Sequence, residues 1–405
     1  VLRNDGRVDT VVDFAPGVDR FLLQGGLSLG QIAIAQQGAN TTLRYLNQAE
    51  PSVILLNVQA SSLTPESFQT QALVPSFNSL TVFGDSLSDP GNLFGLTGFF
   101  PPFPYSQGRF SNGDLWVDYL SDDIGLEPAQ VQNFAVGGAT TGRDNGLDPL
   151  ISSLTGTEVN LPGLLDEVDS YLSSLGSGSA NPDGLYVVWA GANDLFNLPS
   201  DPAAIPAFLA NSVQNIATAI GNLAARGADT FLVPNLPNLG LTPRTLGDGT
   251  SQQATALSLG FNTGLANALT ALEQTLPIDI IPVDLFGLTN EIIGAPAEFG
   301  FTNVTDALLN QGLLDDPGYF WWDQQHPTTR VHDLLSDVFQ VALVEAGYLQ
   351  SGDALLPALS AAAEADWLPQ GAGSGLASLT SLSNAPLNSL VPSPDNWLAV
   401  SGDLS

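Results

Sequence analysis

The stretch Thr81–Asn92, TVFGDSLSDPGN, carries an apolar run into a glycine and then into a cluster of Asp, Ser, Pro and Asn. Two readings compete for it. Gly, Asp, Ser, Pro and Asn are the residues that turns use for reasons of backbone geometry alone, so the cluster by itself is a turn. If the apolar run is a buried strand of an α/β sheet, the same turn presents the Ser86 hydroxyl at the sheet's carboxyl edge, where reactive groups of such sheets sit. The surrounding chain has to decide.

From about Asn78 to Gly347, short apolar runs alternate with helical spacing. LTVFG, LYVVWAG, DTFLVPNLP and DIIPVDLF each end in small or polar residues, as buried parallel strands do. Between them, Ile205, Phe208, Leu209, Val213, Ile216, Ile220 and Leu223 recur at helical spacing, and Gly227 is placed to cap that helix. Phe261, Leu265, Leu269 and Leu272 predict a second helix, and Val331, Leu334, Leu335, Val338 and Phe339 a third. This alternation predicts a three-layer α/β/α fold with a mostly parallel sheet. Ahead of it, VDTVVDF, DRFLL, GQIAIAQ, TTLRYL and SVILLNV read as short strands of a small β-rich module. After Ser351 the chain is dominated by Ser, Ala, Gly, Leu and Pro, with one short helix expected near Leu355 to Trp367. The expected division is a β-rich module over 1–75, the α/β domain over 76–350, and a low-complexity extension over 351–405.

Composition excludes several functions. The 405 residues carry 9 basic and 41 acidic side chains, a formal charge of −32, and lysine is absent. Nucleic acid is excluded as a partner, because phosphate binding needs clustered Lys and Arg. Anionic membrane surfaces are disfavoured on the same ground, and an acidic chain of this kind suits salty surroundings that screen its self-repulsion. With no cysteine there is no disulfide framework, thiolate metal site or cysteine nucleophile, and the redox compartment is left open. No uninterrupted apolar run reaches the roughly 18 residues of a membrane span, so a soluble protein is expected. The start at Val1 and the lack of methionine point to a processed product or an excerpt of a longer chain.

A serine nucleophile needs a base, and the chain offers two histidines, His326 and His332. His326 follows Asp323 by three residues in FWWDQQHPTTR, close enough for carboxylate and imidazole to bond directly, with Pro327 in the first turn of the helix that follows. The same pattern also describes an Asp that caps a helix beside a surface His. His332 lies about 240° further round that helix and is expected in solvent. One G-x-S-x-G match, Gly26 to Gly30 around Ser28, falls between two expected strands of the β module rather than on a strand-to-helix turn, and is read as chance.

Four blocks now stand in order: Phe83 to Asp89 (FGDSLSD), Asn133 to Ala139 (NFAVGGA), Gly191 to Asp194 (GAND), and Asp323 to Thr328 (DQQHPT). Together with QGRFSNGDLWVDYL, they resemble the GDSL lipases and esterases, or SGNH hydrolases, of the plant-type and bacterial secreted branch. The resemblance implies a secreted serine ester hydrolase that needs no cofactor and acts on a small ester or lipid. Within it Ser86 is the nucleophile, His326 the general base and Asp323 the orienting carboxylate. The oxyanion donors are the backbone N–H groups of Ser86 and Gly138 and the Asn193 amide, with Gly137 the competitor for Gly138. On turn chemistry alone the two glycines mark a tight turn and Asn193 with Asp194 caps a segment.

Further expectations attach to the same region. Asp85 and Asp89 shape the serine turn, and GLTGFFPPFPY (95–105) has two readings, a cover over an acyl site, which favours lipid-like esters, and a surface loop with Pro-enforced shape. Arg109, Trp116, Trp189, Trp321 and Trp322 are candidates for the mouth of the site, although aromatic residues beside strand ends are more often core. The first 70 residues or so resemble the segment that closes RTX-like calcium-binding modules, which implies a calcium site there, but the G-G-x-G-x-D nonapeptide is absent. The alternatives are a carbohydrate acetyl esterase, and an extracellular calcium- or glycan-binding adhesion protein with a silent hydrolase fold. Oligomeric state is left open.

Overall fold

The structure is a computed structural model that describes residues 9–12, 14–23, 32–45, 52–64, 67–70 and 77–349. Ser28 and the helix expected near Leu355 lie outside the described residues.

Each of the five N-terminal apolar runs holds a strand: β1 (Asp9–Val11), β2 (Phe21–Leu23), β3 (Ile32–Gln37), β4 (Asn40–Tyr45) and β5 (Val53–Leu55). A further strand, β6 (Phe68–Thr70), pairs with β2, and the other four form a sheet in the order β1-β5-β4-β3. Phe14, Phe21, Leu43, Val53, Leu55 and Val58 make a small core beneath them. Among the described residues no group of three or more His, Cys, Asp or Glu could hold a metal ion.

The α/β region is built on β7 (Ser79–Gly84), β8 (Val131–Asn133), β9 (Gly184–Trp189), β10 (Thr230–Pro234) and β11 (Asp279–Val283), with β12 (Asn303–Ala307) and β13 (Tyr319–Trp321) as a separate pair. The five-stranded sheet has the order β11-β10-β9-β7-β8, and every pairing in it is parallel. Its helices are α1 (Asn92–Thr97), α2 (Trp116–Asp123), α3 (Asp148–Thr155), α4 (Leu164–Ser174), α5 (Ala192–Phe196), α6 (Ile205–Ala224), α7 (Pro243–Asp248), α8 (Ser251–Thr275), α9 (Leu285–Gly294) and α10 (Thr329–Glu345).

Strand side chains alternate between two cores, as a period of two demands. Leu80, Val82, Leu185, Val187 and Ile281 pack with Trp116, Leu120, Leu288, Val338 and Phe339 of α2, α9 and α10. Phe83, Tyr186, Val188, Phe231 and Ile280 pack with Val168, Leu209, Ile216, Phe261 and Leu265 of α4, α6 and α8. The result is three layers, helices on both faces of a parallel sheet. Strand order reverses between β7 and β9, and in open α/β sheets the crevice at the carboxyl ends beside such a reversal is where ligands bind. Among the described residues no helix is long and apolar enough to cross a membrane.

His332 departs from expectation. It is fully buried, and neither ring nitrogen has a hydrogen-bond partner. The reason is that α10 packs against α2 as well as against the sheet, so its face bearing His332, Ser336 and Gln340 is covered, with Gln340 donating to Asp123 of α2 at 2.8 Å. Burial, helped by His326, pushes the His332 imidazole down to about 3, which keeps it neutral. The helix also starts later than expected: Pro327 precedes the N-cap Thr328, so His326 lies in a loop rather than beside a first helical turn.

Candidate active site

Ser86 stands two residues beyond the end of β7, and His326 reaches it from the loop after β13. His326 Nε2 lies 2.8 Å from Ser86 Oγ, and His326 Nδ1 lies 2.7 Å from Asp323 Oδ2. The two side chains of DQQH meet because the segment folds into a tight turn: the backbone N–H groups of Gln325 and His326 both donate to Asp323 Oδ1, at 2.8 and 2.7 Å. Asp323 therefore caps its own turn and leaves Oδ2 for the imidazole. Burial alone would push this carboxyl up. The His326 charge and hydrogen bond, with the two N–H donors, outweigh burial and hold it below the ordinary carboxylate range.

The serine turn is fixed by carboxylates. Asp85 accepts from the Leu87 N–H at 3.1 Å. Asp89 accepts from the N–H groups of Gly91, Asn92 and Leu93 at the start of α1, and from Gly137 at 2.7 Å, which ties the first block to the second. That bond also separates the two candidate glycines. Gly137 spends its N–H on Asp89, whereas among the described residues the N–H groups of Gly138 and Ser86 meet no protein acceptor. Gly138 has φ +82°, and a Cβ there would sit 2.3 Å from Asn145 Oδ1, so glycine is required. Asn193, on α5 just past β9, donates one amide hydrogen to the Ala139 carbonyl at 3.0 Å and lines both cavities at Ser86. Asp194 next to it accepts from the Thr141 N–H and hydroxyl, joining the third block to the second.

Two cavities meet at Ser86, Asn193 and His326. The smaller, about 60 Å³, is walled mainly by apolar residues including Leu87, Trp189, Leu285, Phe320, Trp321 and Leu335. The larger, about 140 Å³, is bordered by Gly138, Leu147, Asn197, Arg244 and Gln325. Of the five side chains expected at the mouth, Trp189 and Trp321 line the apolar cavity. The other three do not. Trp116 and Trp322 are fully buried, and Arg109 forms a fork with Asp118 at 3.2 Å. GLTGFFPPFPY does not wall the apolar cavity either. Its Phe100 is buried with Phe110 and Val136, because the stretch folds onto a satellite core beside α1 and α3, and Phe103 stays 80% exposed.

Sequence reasoning missed three residues here. Tyr105, at the end of that stretch, donates its hydroxyl to Asp323 Oδ2 at 2.8 Å. Burial, then the Asp323 charge and hydrogen bond, raise the phenol and keep it protonated. Glu167 of α4 is buried and accepts from the N–H groups of Gly84 at 2.8 Å and Val136 at 3.1 Å, bridging the end of β7 to the second block. Arg244 of α7 packs its guanidinium over the Phe196 ring, 4.5 Å from the centroid, and donates to Gln325 Oε1 at 3.1 Å. None lies in a recognisable block. Arg244 alone carried a signal, as one of only 9 basic residues.

Residues 80–339 match the family model described as GDSL-like Lipase/Acylhydrolase. The chain is 27% identical over 320 residues to a phosphatidylcholine-sterol acyltransferase of Aeromonas hydrophila, covering 65% of this chain and 89% of that protein. It is 24% identical to Lipase 1 of Photorhabdus luminescens, covering 67% of this chain and 51% of the lipase. Among solved structures, a carbohydrate acetylesterase from Sinorhizobium meliloti aligns at 14% identity with a TM-score of 0.36, over 67% of this chain and 99% of that one.

Proposed function

The chain belongs to the GDSL-like lipase/acylhydrolase family of carboxylic ester hydrolases, and we propose that it works through an acyl-enzyme formed on Ser86. In this reading His326 takes the hydroxyl proton through Nε2 as Ser86 Oγ attacks the ester carbonyl, and Asp323 holds Nδ1 so that the imidazole keeps the right tautomer. The tetrahedral oxyanion is received by the Ser86 and Gly138 N–H groups and the Asn193 amide. The C–O bond to the alcohol then breaks, and His326 returns its proton to the leaving oxygen. Water, activated by His326 in turn, attacks the acyl-enzyme and releases the acid. Every atom of this scheme belongs to the chain, the substrate or water.

The observation that carries the reading is the unbroken line Ser86 Oγ, His326 Nε2, His326 Nδ1, Asp323 Oδ2, with spacings of 2.8 and 2.7 Å. The apolar walls of the smaller cavity favour an aliphatic acyl group there, hence lipid-like esters, in keeping with the lipase and the phosphatidylcholine acyltransferase among the relatives. An extracellular working place is proposed with it, supported by the −32 charge, whose self-repulsion salty surroundings screen. The test is hydrolysis of short-chain 4-nitrophenyl esters by the purified chain and by Ser86→Ala. Activity is expected in the first and its loss, by several orders of magnitude, in the second.

A further inference from the structure

The larger cavity differs from the protein around it in charge. The chain has 41 acidic residues, yet among the described residues no acidic side chain lines this cavity and its one charged wall is the Arg244 guanidinium. The smaller cavity, by contrast, includes Asp85. Arg244 is held in place on three sides. Its backbone N–H donates to the Gln324 carbonyl at 2.9 Å, Nη1 donates to Gln325, and the guanidinium stacks on buried Phe196. Gln324 and Gln325 are the two residues between Asp323 and His326, so the cation is fixed to the same turn as the base.

Chemistry sorts the two cavities about the scissile bond. An acyl chain belongs in the apolar one. The alcohol part then occupies the larger one, beside Asn197, Gln325 and Arg244. We infer that Arg244 forms a subsite for an anionic oxygen group, a phosphate, carried on the alcohol side of the ester. A guanidinium suits that group because its planar fork matches phosphate geometry and its charge is permanent. Burial lowers its pKa and the charge of Asp248, which is not part of the cavity wall, raises it, and an arginine starts high enough to stay charged.

Net charge makes the subsite more than decoration. At −32 the protein repels anionic substrates, and salt screens that repulsion beyond roughly 8 Å at physiological ionic strength. Inside a partly enclosed cavity screening is weaker, so the sign of the local charge decides which ester is held. An acid-free wall with one arginine selects a phosphorylated alcohol over a neutral one.

The inference rests on the reading of Ser86 as nucleophile, and its test separates the two. The substrates are 1-butyroylglycerol, its 3-phosphate, and its 3-phosphocholine diester, which share acyl group and ester bond. For the parent, kcat/KM should favour a phosphorylated ester over the neutral one, and Arg244→Gln should reduce that ratio by on the order of tenfold to a hundredfold. Arg244→Lys, which keeps the charge but loses the fork, should restore part of it. Whether the monoester or the diester shows the larger effect tells a free phosphate from a lipid headgroup. Hydrolysis of the neutral ester by each variant shows that it is folded. A ratio unchanged in Arg244→Gln, because all three esters slow by one factor or none slows, overturns the subsite and leaves Ser86 untouched. Failure of the underlying reading has a different signature: Ser86→Ala would hydrolyse all three esters as the parent does.

Discussion

Tyr105 donates its hydroxyl hydrogen to Asp323 across 2.8 Å, on the same Oδ2 that His326 Nδ1 approaches at 2.7 Å. The orienting carboxylate thus has all its acceptor capacity in use, two backbone N–H groups on Oδ1 and a phenol and an imidazole on Oδ2. Tyr105 is in turn fixed edge-on against Trp322 and Phe110, with ring centroids 5.9 and 6.0 Å away. Phe110 lies 5.0 Å from the His326 ring, so one aromatic group braces both the base and the residue that holds its partner.

Tyr105→Phe keeps the packing and removes one donor. With one hydrogen bond fewer, Asp323 interacts more strongly with a protonated His326. The acid limb of the kcat/KM profile should therefore move to higher pH, with kcat at neutral pH reduced about threefold to tenfold. Tyr105→Ala also loses the ring contacts and should lower the melting temperature, which Tyr105→Phe should not. An unmoved pH profile in Tyr105→Phe would show that the tyrosine serves packing alone.

Removal of the Asn193 amide by Asn193→Ala should lower kcat by on the order of 10²-fold to 10³-fold, with a small change in KM, because the donor acts on charge that develops only in the transition state. Steady-state kinetics on a 4-nitrophenyl ester decides it. A change confined to KM would mean that Asn193 binds the ground state only.

Glu167→Ala strips the acceptor from the buried Gly84 N–H and one of two acceptors from the Val136 N–H, which also donates to the Gly84 carbonyl at 3.1 Å. The one donor left unsatisfied, Gly84 N–H, costs about 1–3 kcal/mol. The midpoint of urea unfolding, followed by tryptophan fluorescence, should fall accordingly, and the serine turn should loosen with it. A variant as stable as the parent would mean that water or a backbone shift satisfies the Gly84 N–H.

Stability and activity should have opposite pH dependences. Burial pushes the Asp85 carboxyl from 3.8 up to about 7, against the Leu87 N–H and His326, which lower it. Burial raises Asp89, Glu167 and Asp194 as well. A carboxyl with a raised pKa holds its proton in the folded state at pH values where the unfolded chain has lost it. Its contribution is fully present below 3.8 and lost as pH rises through about 7. The melting temperature should therefore fall from pH 4 to 7, and Asp85→Asn should flatten part of that slope. Activity should run the other way, since protonated His326 cannot accept the Ser86 proton. An identical slope in parent and Asp85→Asn would contradict the assignment to Asp85.

The layers of the α/β region were legible because burial on both faces writes strands as continuous apolar runs. LTVFG, LYVVWAG, DTFLVPNLP and DIIPVDLF became β7, β9, β10 and β11, and the helical spacing around Ile216, Leu265 and Phe339 became α6, α8 and α10. What escaped was short or set by tertiary contact. β8 has three residues, none of them fully buried, and β12 and β13 pair only with each other. Ser86, Asp323 and His326 could be named from local patterns, and the structure brings them within hydrogen-bond distance. Tyr105, Glu167 and Arg244 could not, because each acts through a partner more than sixty positions away in the chain, on atoms that no local pattern predicts. His332 was misplaced for a related reason: periodicity gave its direction on the helix but not what covers that face.

If Ser86 is the nucleophile, a fluorophosphonate should label it covalently. One equivalent of label is expected on the Ser86 peptide by mass spectrometry, with full loss of ester hydrolysis in step with labelling, and no label in Ser86→Ala or in the denatured chain. Label absent from Ser86, or hydrolysis that survives its stoichiometric modification, would contradict it.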